Sequence, residues 1–397
     1  MGNQRILHLK DGSFEASVVK RNALNRILDM RLKDAFERVV IVFFKAPSDK
    51  KHLINNWLTV YDCQCFPPFF FRAGLKFIDF LLAECIFILR LYFFIKHERI
   101  TVITADSPHI VGLNAIFISR LTGIPFVQYT VVDYDLFYEA SKRRNMPGIP
   151  RWLEKHAERC VFNGAQRVIA DREYYLKYAI KNAAHPSRCY RVRTTSDHFY
   201  FSAVPRHNFH NNDEMSGKKI IFYFGRLHQE KLPDHLLYSL EIIKESRPDV
   251  LLLIAGNGPM RAELEDMVKR LRLKEMVKFL GVLSNQQLVD VMAVADALVA
   301  THAGYALIEM ALSGKPVIAY DYEWHPELIK HKQTGLLVPY KDYRKLAQTI
   351  LYVFTHSDEV NSYGRAARKA ALENHHPDDA AEDERRIYYD LFSRRNH

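Results

Sequence analysis

Three short stretches in the second half of the chain place charge and glycine where an anion would bind. Gly225-Arg226 directly follows an apolar, strand-like run, and Glu230-Lys231 comes shortly after it. A guanidinium at Arg226 and an ammonium at Lys231 suit a diphosphate, one giving a planar fork and the other a compact point charge. Gly256-Asn257-Gly258-Pro259 follows the next apolar run. There Gly256 and Gly258 permit close approach of a ligand, and Pro259 fits the first position of a helix. The third stretch is Thr301-His302-Ala303-Gly304-Tyr305-Ala306-Leu307-Ile308-Glu309. A strand ends before it and a helix opens near Tyr305, so amides around Gly304, Tyr305 and Ala306 can hold phosphate oxygens. Glu309 lies about one turn into that mostly apolar helix, where a carboxylate accepts hydrogen bonds from the vicinal hydroxyls of a ribose. A structural salt bridge is the plain alternative for Glu309.

The surrounding pattern alternates strand-like runs with helical ones, which indicates α/β architecture with doubly wound parallel sheets. In the first half, strands are expected at 5–9, 39–44, 100–104, 126–130, 167–170 and 190–193, with helices at 18–36, 110–121 and 151–160. In the second half, strands at 219–224, 250–255, 277–280, 297–300 and 316–320 alternate with helices at 234–246, 260–271, 285–293 and 305–312. Residues 201–219 are polar and aperiodic and read as a linker. The domains expected are 1–200, a linker at 201–218, 219–376, and a helical tail at 377–397 that packs back on the first domain. Ligands of a doubly wound sheet sit at the carboxyl ends of its strands, where the three stretches fall.

The chain has 397 residues, 48% hydrophobic and 26% charged, which excludes a disordered or disulfide-held module. Its net charge of +10 is unevenly spread. Residues 1–200 carry 30 basic and 19 acidic side chains, a net of +11; the remainder carries 26 and 27, a net of −1. A one-sided basic excess points to a polyanionic or membrane-surface partner for the first half. The five cysteines form no disulfide framework, the histidines show no metal-ligand spacing, and residues 1–10 are not a signal peptide. The expected compartment is cytoplasmic. No nucleic-acid-binding motif accompanies the charge.

Residues 66–95 hold ten aromatics, interrupted by Arg72, Lys76, Asp79, Glu84 and Arg90. No charge-free run is long enough to span a bilayer. At 100° per residue, Arg72, Lys76, Asp79, Arg90 and His97 make one narrow polar stripe, with Glu84 outside it. The expectation is an interfacial element whose Phe69, Phe70 and Phe71 enter a headgroup layer while Arg72 and Lys76 meet lipid phosphates. An ordinary half-buried helix with its polar stripe toward water is the alternative.

Taken in order, several segments resemble the donor domain of family-four glycosyltransferases of the GT-B fold (glycosyl transferases group 1). They are Gly225-Arg226-Leu227 with Glu230-Lys231, Ala255-Gly256-Asn257-Gly258-Pro259, Phe279-Leu280-Gly281, Gly304 through Glu309, Ser313-Gly314-Lys315-Pro316, Pro326-Glu327-Leu328 and Thr334-Gly335-Leu336. The resemblance covers residues 220–339 closely. It implies two Rossmann-like domains facing across a cleft and a nucleotide-sugar donor, most often UDP-linked. It implies Arg226 and Lys231 at the diphosphate, Glu309 at the ribose and the base near Gly281 and Val282. It further implies retention of anomeric configuration without a metal or other cofactor, by a front-side displacement needing no protein nucleophile. Many relatives carry a Glu where this chain has Thr301, so Thr301 or His302 is expected to meet the sugar. A non-catalytic nucleotide- or sugar-binding protein of the same fold is the alternative.

The first half resembles the acceptor domain more loosely. Gly12, Asp106, His109, Asp133 and Asp135 are its candidates for the acceptor and sugar vicinity, with His109 and Asp133 the possible catalytic groups. Asp133-Tyr134-Asp135 also matches a metal-binding Asp-x-Asp pattern of the other major glycosyltransferase fold, which is discounted here. The partners expected are a nucleotide-sugar donor, a lipid-linked or glycan acceptor and an anionic membrane surface, at the inner face of a membrane.

Overall fold

The computed structural model describes residues 4–19, 35–44, 46–64, 76–141, 146, 149–193, 215 and 217–393. The chain divides into two units, Met1–Arg193 with Asp378–His397, and Thr194–Pro377.

The first unit is built on an 8-stranded sheet. Its strands are β1 (Arg5–Asp11), β2 (Arg38–Phe44), β3 (Lys50–Leu53), β4 (Leu58–Cys63), β5 (Val102–Ala105), β6 (Phe126–Thr130), β7 (Arg167–Ala170) and β8 (Cys189–Arg191). Their order is β3-β4-β2-β1-β5-β6-β7-β8. All neighbours are parallel except β3 with β4. Runs such as Val39–Phe44 are buried throughout, as strands covered on both faces must be. The β3–β4 hairpin was not anticipated: Lys-Lys-His-Leu carries no alternation to announce a strand. The helix expected at 18–36 lies mostly outside the described residues.

The C-terminal helix Pro377–Ser393 belongs to this unit. Ile387, Tyr388 and Leu391 share a core with Ile6, Val39 and Ile41. Tyr388 meets the Tyr129 hydroxyl at 2.8 Å, Asp390 pairs with Arg167 at 2.7 Å, and Asp379 pairs with Arg193 at 2.7 Å.

The helix Lys76–Glu98 packs Phe87, Leu91 and Ile95 against the sheet. Of the expected polar stripe, Arg90 and His97 are exposed, and apolar residues share the outer face with them. Leu82, Ile86, Leu89 and Phe93 are 47%, 43%, 59% and 67% exposed, one turn apart. Two acids outside that stripe turn inward: Glu84 accepts from Asn114 Nδ2 at 2.7 Å, and Glu98 pairs with Arg38 at 3.1 Å. Arg90 sits at the margin, paired with Asp49. The helical-wheel count located the charges but could not tell which of them have partners inside.

The second unit is a 6-stranded parallel sheet of β9 (Lys219–Phe224), β10 (Val250–Ala255), β11 (Val277–Gly281), β12 (Ala297–Ala300), β13 (Val317–Asp321) and β14 (Leu336–Pro339). The order β11-β10-β9-β12-β13-β14 reverses direction between β9 and β12. Ligands of such sheets bind outside that reversal. Gly225 ends β9 and Thr301 ends β12, so two of the three chemistry-bearing stretches flank it.

Candidate functional site

Two glycine loops are sewn together at the carboxyl ends of β9 and β10. Gly225 N–H donates to the Ala255 carbonyl at 3.0 Å, Leu227 N–H to the Asn257 carbonyl at 3.1 Å, and Met260 N–H to the Leu227 carbonyl at 3.0 Å. Gly256 has φ +128, and a Cβ there would lie 1.9 Å from the Gly225 carbonyl oxygen. A Cβ on Gly258 would lie 2.3 Å from the Leu227 carbonyl oxygen. The sequence reading gave these glycines to ligand approach; the structure gives them to contact between the loops. Gly281 closes the same layer, accepting from Gly256 N–H at 2.6 Å, and leaves Val282 exposed at the end of β11.

Lys231 stands at the end of a short turn, Gln229–Lys231, followed by Leu232 at φ +50. A left-handed leucine is costly and persists only where its surroundings hold it. Two side chains from the end of β12 do so. Thr301 Oγ1 donates to the Lys231 carbonyl at 2.5 Å, and His302 Nδ1–H donates to the Glu230 carbonyl at 2.6 Å. Thr301 is 1% exposed. Thr301 is thereby corrected from a sugar contact to a brace for the lysine. His302 is likewise engaged, with Nε2 3.8 Å from Glu323.

The Lys231 ammonium has no hydrogen-bond or ion-pair partner among the described residues. Burial, with the Arg226 charge adding to it, holds its pKa below the ordinary lysine value, against the pull of Glu230 and Glu323. Arg226 is exposed and pairs with Glu230 at 2.7 Å. A desolvated ammonium without a direct hydrogen-bond or ion-pair partner among the described residues, beside an arginine held by one carboxylate, is a site ready for an anion.

The helix Ala306–Ser313 brings Gly304, Tyr305, Ala306 and Glu309 to this end of the sheet. A side chain at Gly304 would meet open space, so its backbone faces outward. Glu309 is half-buried in the first turn. The motif behind the helix is structural. Gly314 takes φ +75 to end it, Lys315 Nζ donates to the Ala293 carbonyl at 2.6 Å, and Arg368 caps the Leu312 carbonyl at 2.6 Å.

One residue here escaped sequence reasoning. His325 is fully buried, with Nδ1 2.9 Å from the Tyr320 carbonyl and Nε2 3.1 Å from the Ala303 amide, so it ties the loop before Gly304 to the end of β13. Its only signal was a histidine before Pro326. Burial pushes its pKa down to about 4. The neutral ring therefore adds stability that is complete above about pH 6.5 and lost as pH falls toward 4. The expected result is a urea midpoint that falls with acid more steeply in the unaltered chain than in His325→Gln. The difference is up to about 1.4 kcal/mol per pH unit across that window.

The first-unit candidates fare differently. His109 is 2% exposed, with Nε2 3.1 Å from Glu158 Oε1 and Nδ1 3.2 Å from Ser107 Oγ. Glu158 is also held by Lys155, Arg151 and the Tyr178 hydroxyl. Burial pushes its pKa up, but hydrogen bonds from His109, Lys155 and Tyr178 outweigh that and bring it down to about 2. Asp133 Oδ1 accepts from the Asp135 and Leu136 amides at 2.9 and 3.1 Å and Oδ2 from Tyr174 at 2.9 Å. Burial raises its pKa. Asp135 pairs with Arg151 at 2.6 Å and Lys155 at 3.0 Å. All three are thus held by structural partners: His109 and Asp135 join one ionic network through Glu158, Arg151 and Lys155, while Asp133 caps the turn that follows it and accepts from Tyr174. Gly12 and Asp106 do lie at strand ends β1 and β5, where the first sheet reverses; Gly12 has φ +96 and Asp106 pairs with Lys10 at 3.1 Å. Phe69, Phe70, Phe71 and Arg72 lie outside the described residues, and Lys76 opens its helix. Among the described residues no group of three or more His, Cys, Asp or Glu side chains is arranged to hold a metal ion.

Two doubly wound α/β units, the second with its glycine loops at the strand reversal, constitute the GT-B fold of glycosyltransferases. Residues 206–370 match the model of the family described as glycosyl transferases group 1. An exopolysaccharide phosphotransferase of Streptomyces coelicolor is 30% identical over 176 residues, 43% of this chain and 18% of that protein. An alpha-D-kanosaminyltransferase of Streptomyces kanamyceticus is 24% identical over 234 residues, 56% of this chain and 59% of that protein. The chain thus spans less than two thirds of the length of these curated relatives. The Anabaena protein HepE, solved in complex with UDP and glucose, superposes with a TM-score of 0.71 at 18% identity, over 98% of this chain and 100% of its own.

Proposed function

We propose that this chain is a retaining, metal-independent glycosyltransferase. It moves a sugar from a nucleotide-sugar donor, a UDP-sugar, to a lipid-linked or glycan acceptor at the cytosolic face of a membrane. The observation that carries the donor half is Lys231, a desolvated ammonium without a direct hydrogen-bond or ion-pair partner among the described residues, its backbone braced by Thr301 and His302 at the strand reversal. The UDP bound to HepE supports the choice of base.

In this reading Lys231 and Arg226 hold the diphosphate, with Arg226 exchanging Glu230 for a phosphate oxygen. Amides at Gly304 and Ala306 complete the cradle, Glu309 takes the ribose hydroxyls, and the base lies at Gly281 and Val282. The C1–O bond to the diphosphate breaks as the acceptor hydroxyl bonds to C1 on the same face, and the acceptor proton passes to the departing phosphate oxygen. Lys231 and Arg226 stabilise the charge that grows there. No side chain acts as nucleophile.

Membrane-face action is supported by the exposed apolar stripe Leu82, Ile86, Leu89 and Phe93 on one helix. Contiguous exposed apolar surface needs a partner. No helix among the described residues is long and apolar enough to cross a membrane.

The test is a thermal-shift screen of purified protein against UDP-, GDP- and ADP-sugars. An NMR assignment of the product anomer follows. A UDP-sugar is expected to raise the melting temperature, and Glu309→Ala to weaken that response. A chain indifferent to all three donors, or an inverted product, would refute the reading.

A further inference from the structure

The first unit contains a pocket of about 300 Å³ at the margin of its core, lined by no residue of the donor site. It lies between one face of the sheet, at Val42, Tyr61 and Cys63, and the inner side of the helix Lys76–Glu98, at Phe87, Leu91 and Phe94. The pocket opens to the surface, and its floor is apolar enough to shelter a hydrocarbon group from water. The Cys63 thiol records the same low polarity, since burial pushes its pKa up to about 11.

The rim of the cavity differs from its floor. Lys50 and Lys51 come from edge strand β3, and Arg90 from the helix. Arg90 reaches Asp49 at 2.7 Å and the Gln64 carbonyl at 3.3 Å, and the Lys51 ammonium lies 5.4 Å from the centre of the Tyr61 ring. The nearby acid Asp62 is buried and already accepts from Phe14 N–H at 2.8 Å and contacts His52 at 3.1 Å. Three cations therefore face one exposed carboxylate, Asp49. Lysines on an edge strand also discourage strand pairing, but that role needs neither the void beneath them nor Arg90. Arg90 also stands next in sequence to Leu89 of the exposed stripe, so the mouth adjoins an apolar outer surface.

We propose that this cavity binds one hydrocarbon chain of an anionic amphiphile. The chain lies among Val42, Phe87, Leu91 and Phe94, and the anionic head sits at Arg90, Lys50 and Lys51. The inference goes beyond the donor-site reading and does not depend on it, because no donor residue lines the cavity.

The experiment measures binding of decyl phosphate, decanol and inorganic phosphate to the full chain by calorimetry, below the concentration at which micelles form. Decyl phosphate is expected to bind saturably with one site, decanol about tenfold more weakly or worse, and inorganic phosphate not at all. Arg90→Glu with Lys51→Glu alters only exposed groups and is expected to weaken decyl phosphate at least about tenfold. Leu91→Trp, which fills the cavity, is expected to abolish its binding. Leu89→Ser with Phe93→Ser is expected to leave it unchanged while reducing sedimentation with anionic vesicles, which separates chain binding from surface docking. Absence of saturable binding by the unaltered chain overturns the proposal, as does binding that survives both cavity variants, or an equal response to inorganic phosphate. The response to a UDP-sugar is read in parallel, so failure here leaves the donor reading standing and the reverse holds equally.

Discussion

Replacing Lys231 by Met is expected to reduce sugar transfer by about 10²–10³-fold while leaving the protein as stable as before or more so. The two effects come from one cause. The ammonium is desolvated and unpartnered, so it is less stable in the fold than in water, and its pKa sits below the 10.5 of an ordinary lysine. The unfolded chain therefore binds that proton more tightly than the folded one. Folding stability gains as pH rises through the interval ending at 10.5, and at neutral pH the charge is a cost. Methionine keeps an apolar stem of similar reach and removes the cost. The brace is untouched, because Thr301 holds the backbone carbonyl and not the ammonium. A diphosphate would supply the direct partner that Glu230 and Glu323 do not, which is why the cost is tolerated. Urea unfolding at neutral pH and at pH 10, with transfer measured alongside, checks both halves. A variant that transfers normally, or one that is clearly less stable, contradicts the account.

Gly256→Ala is the second large effect, and it falls on stability. The new methyl would sit 1.9 Å from the Gly225 carbonyl oxygen at φ +128, a backbone conformation that side chains rarely adopt. Nothing there yields easily, because the obstacle is backbone and that backbone accepts no side-chain adjustment. The strain and the clash add to about 3 kcal/mol or more. The Gly225 and Gly256 loops must part, and Arg226 is carried with them. Denaturant titration should show the loss, with donor response falling in step. Gly304→Ala serves as the control, since a methyl there meets open space. A loss below about 1 kcal/mol at Gly256 would mean that the two loops are not sewn as described.

Much of the second unit was legible. Continuous apolar runs gave β9, β10 and β12 with the bounds the structure shows, because a strand covered on both faces needs no alternation to betray it. Glycine-bearing stretches after those runs were found for the same reason: turns at strand ends are local chemistry. What local pattern could not show is what each glycine avoids. Gly256 avoids a neighbouring loop, which only the pairing of β9 with β10 makes adjacent. Thr301 was read for what it lacks, while its hydroxyl had a partner 70 positions away. The first unit was harder. His109 and Asp133 looked chemical because polar groups after strands often are. Their partners Glu158 and Tyr174 arrive from other helices, and burial of that network is a property of the assembled fold. On the helix Lys76–Glu98 periodicity set Glu84 apart from the polar stripe but could not supply the inward partners that Glu84 and Glu98 find.

The return of the helix Pro377–Ser393 to the first unit has a consequence for biogenesis. As the chain leaves the ribosome, all of the second unit has been made by Pro377, while the first sheet still lacks the segment that covers Ile6, Val39 and Tyr129. The unit that starts first is completed last. Until residues 378–393 arrive, that face of its sheet is uncovered, and its protection during synthesis rests on whatever the cell can supply.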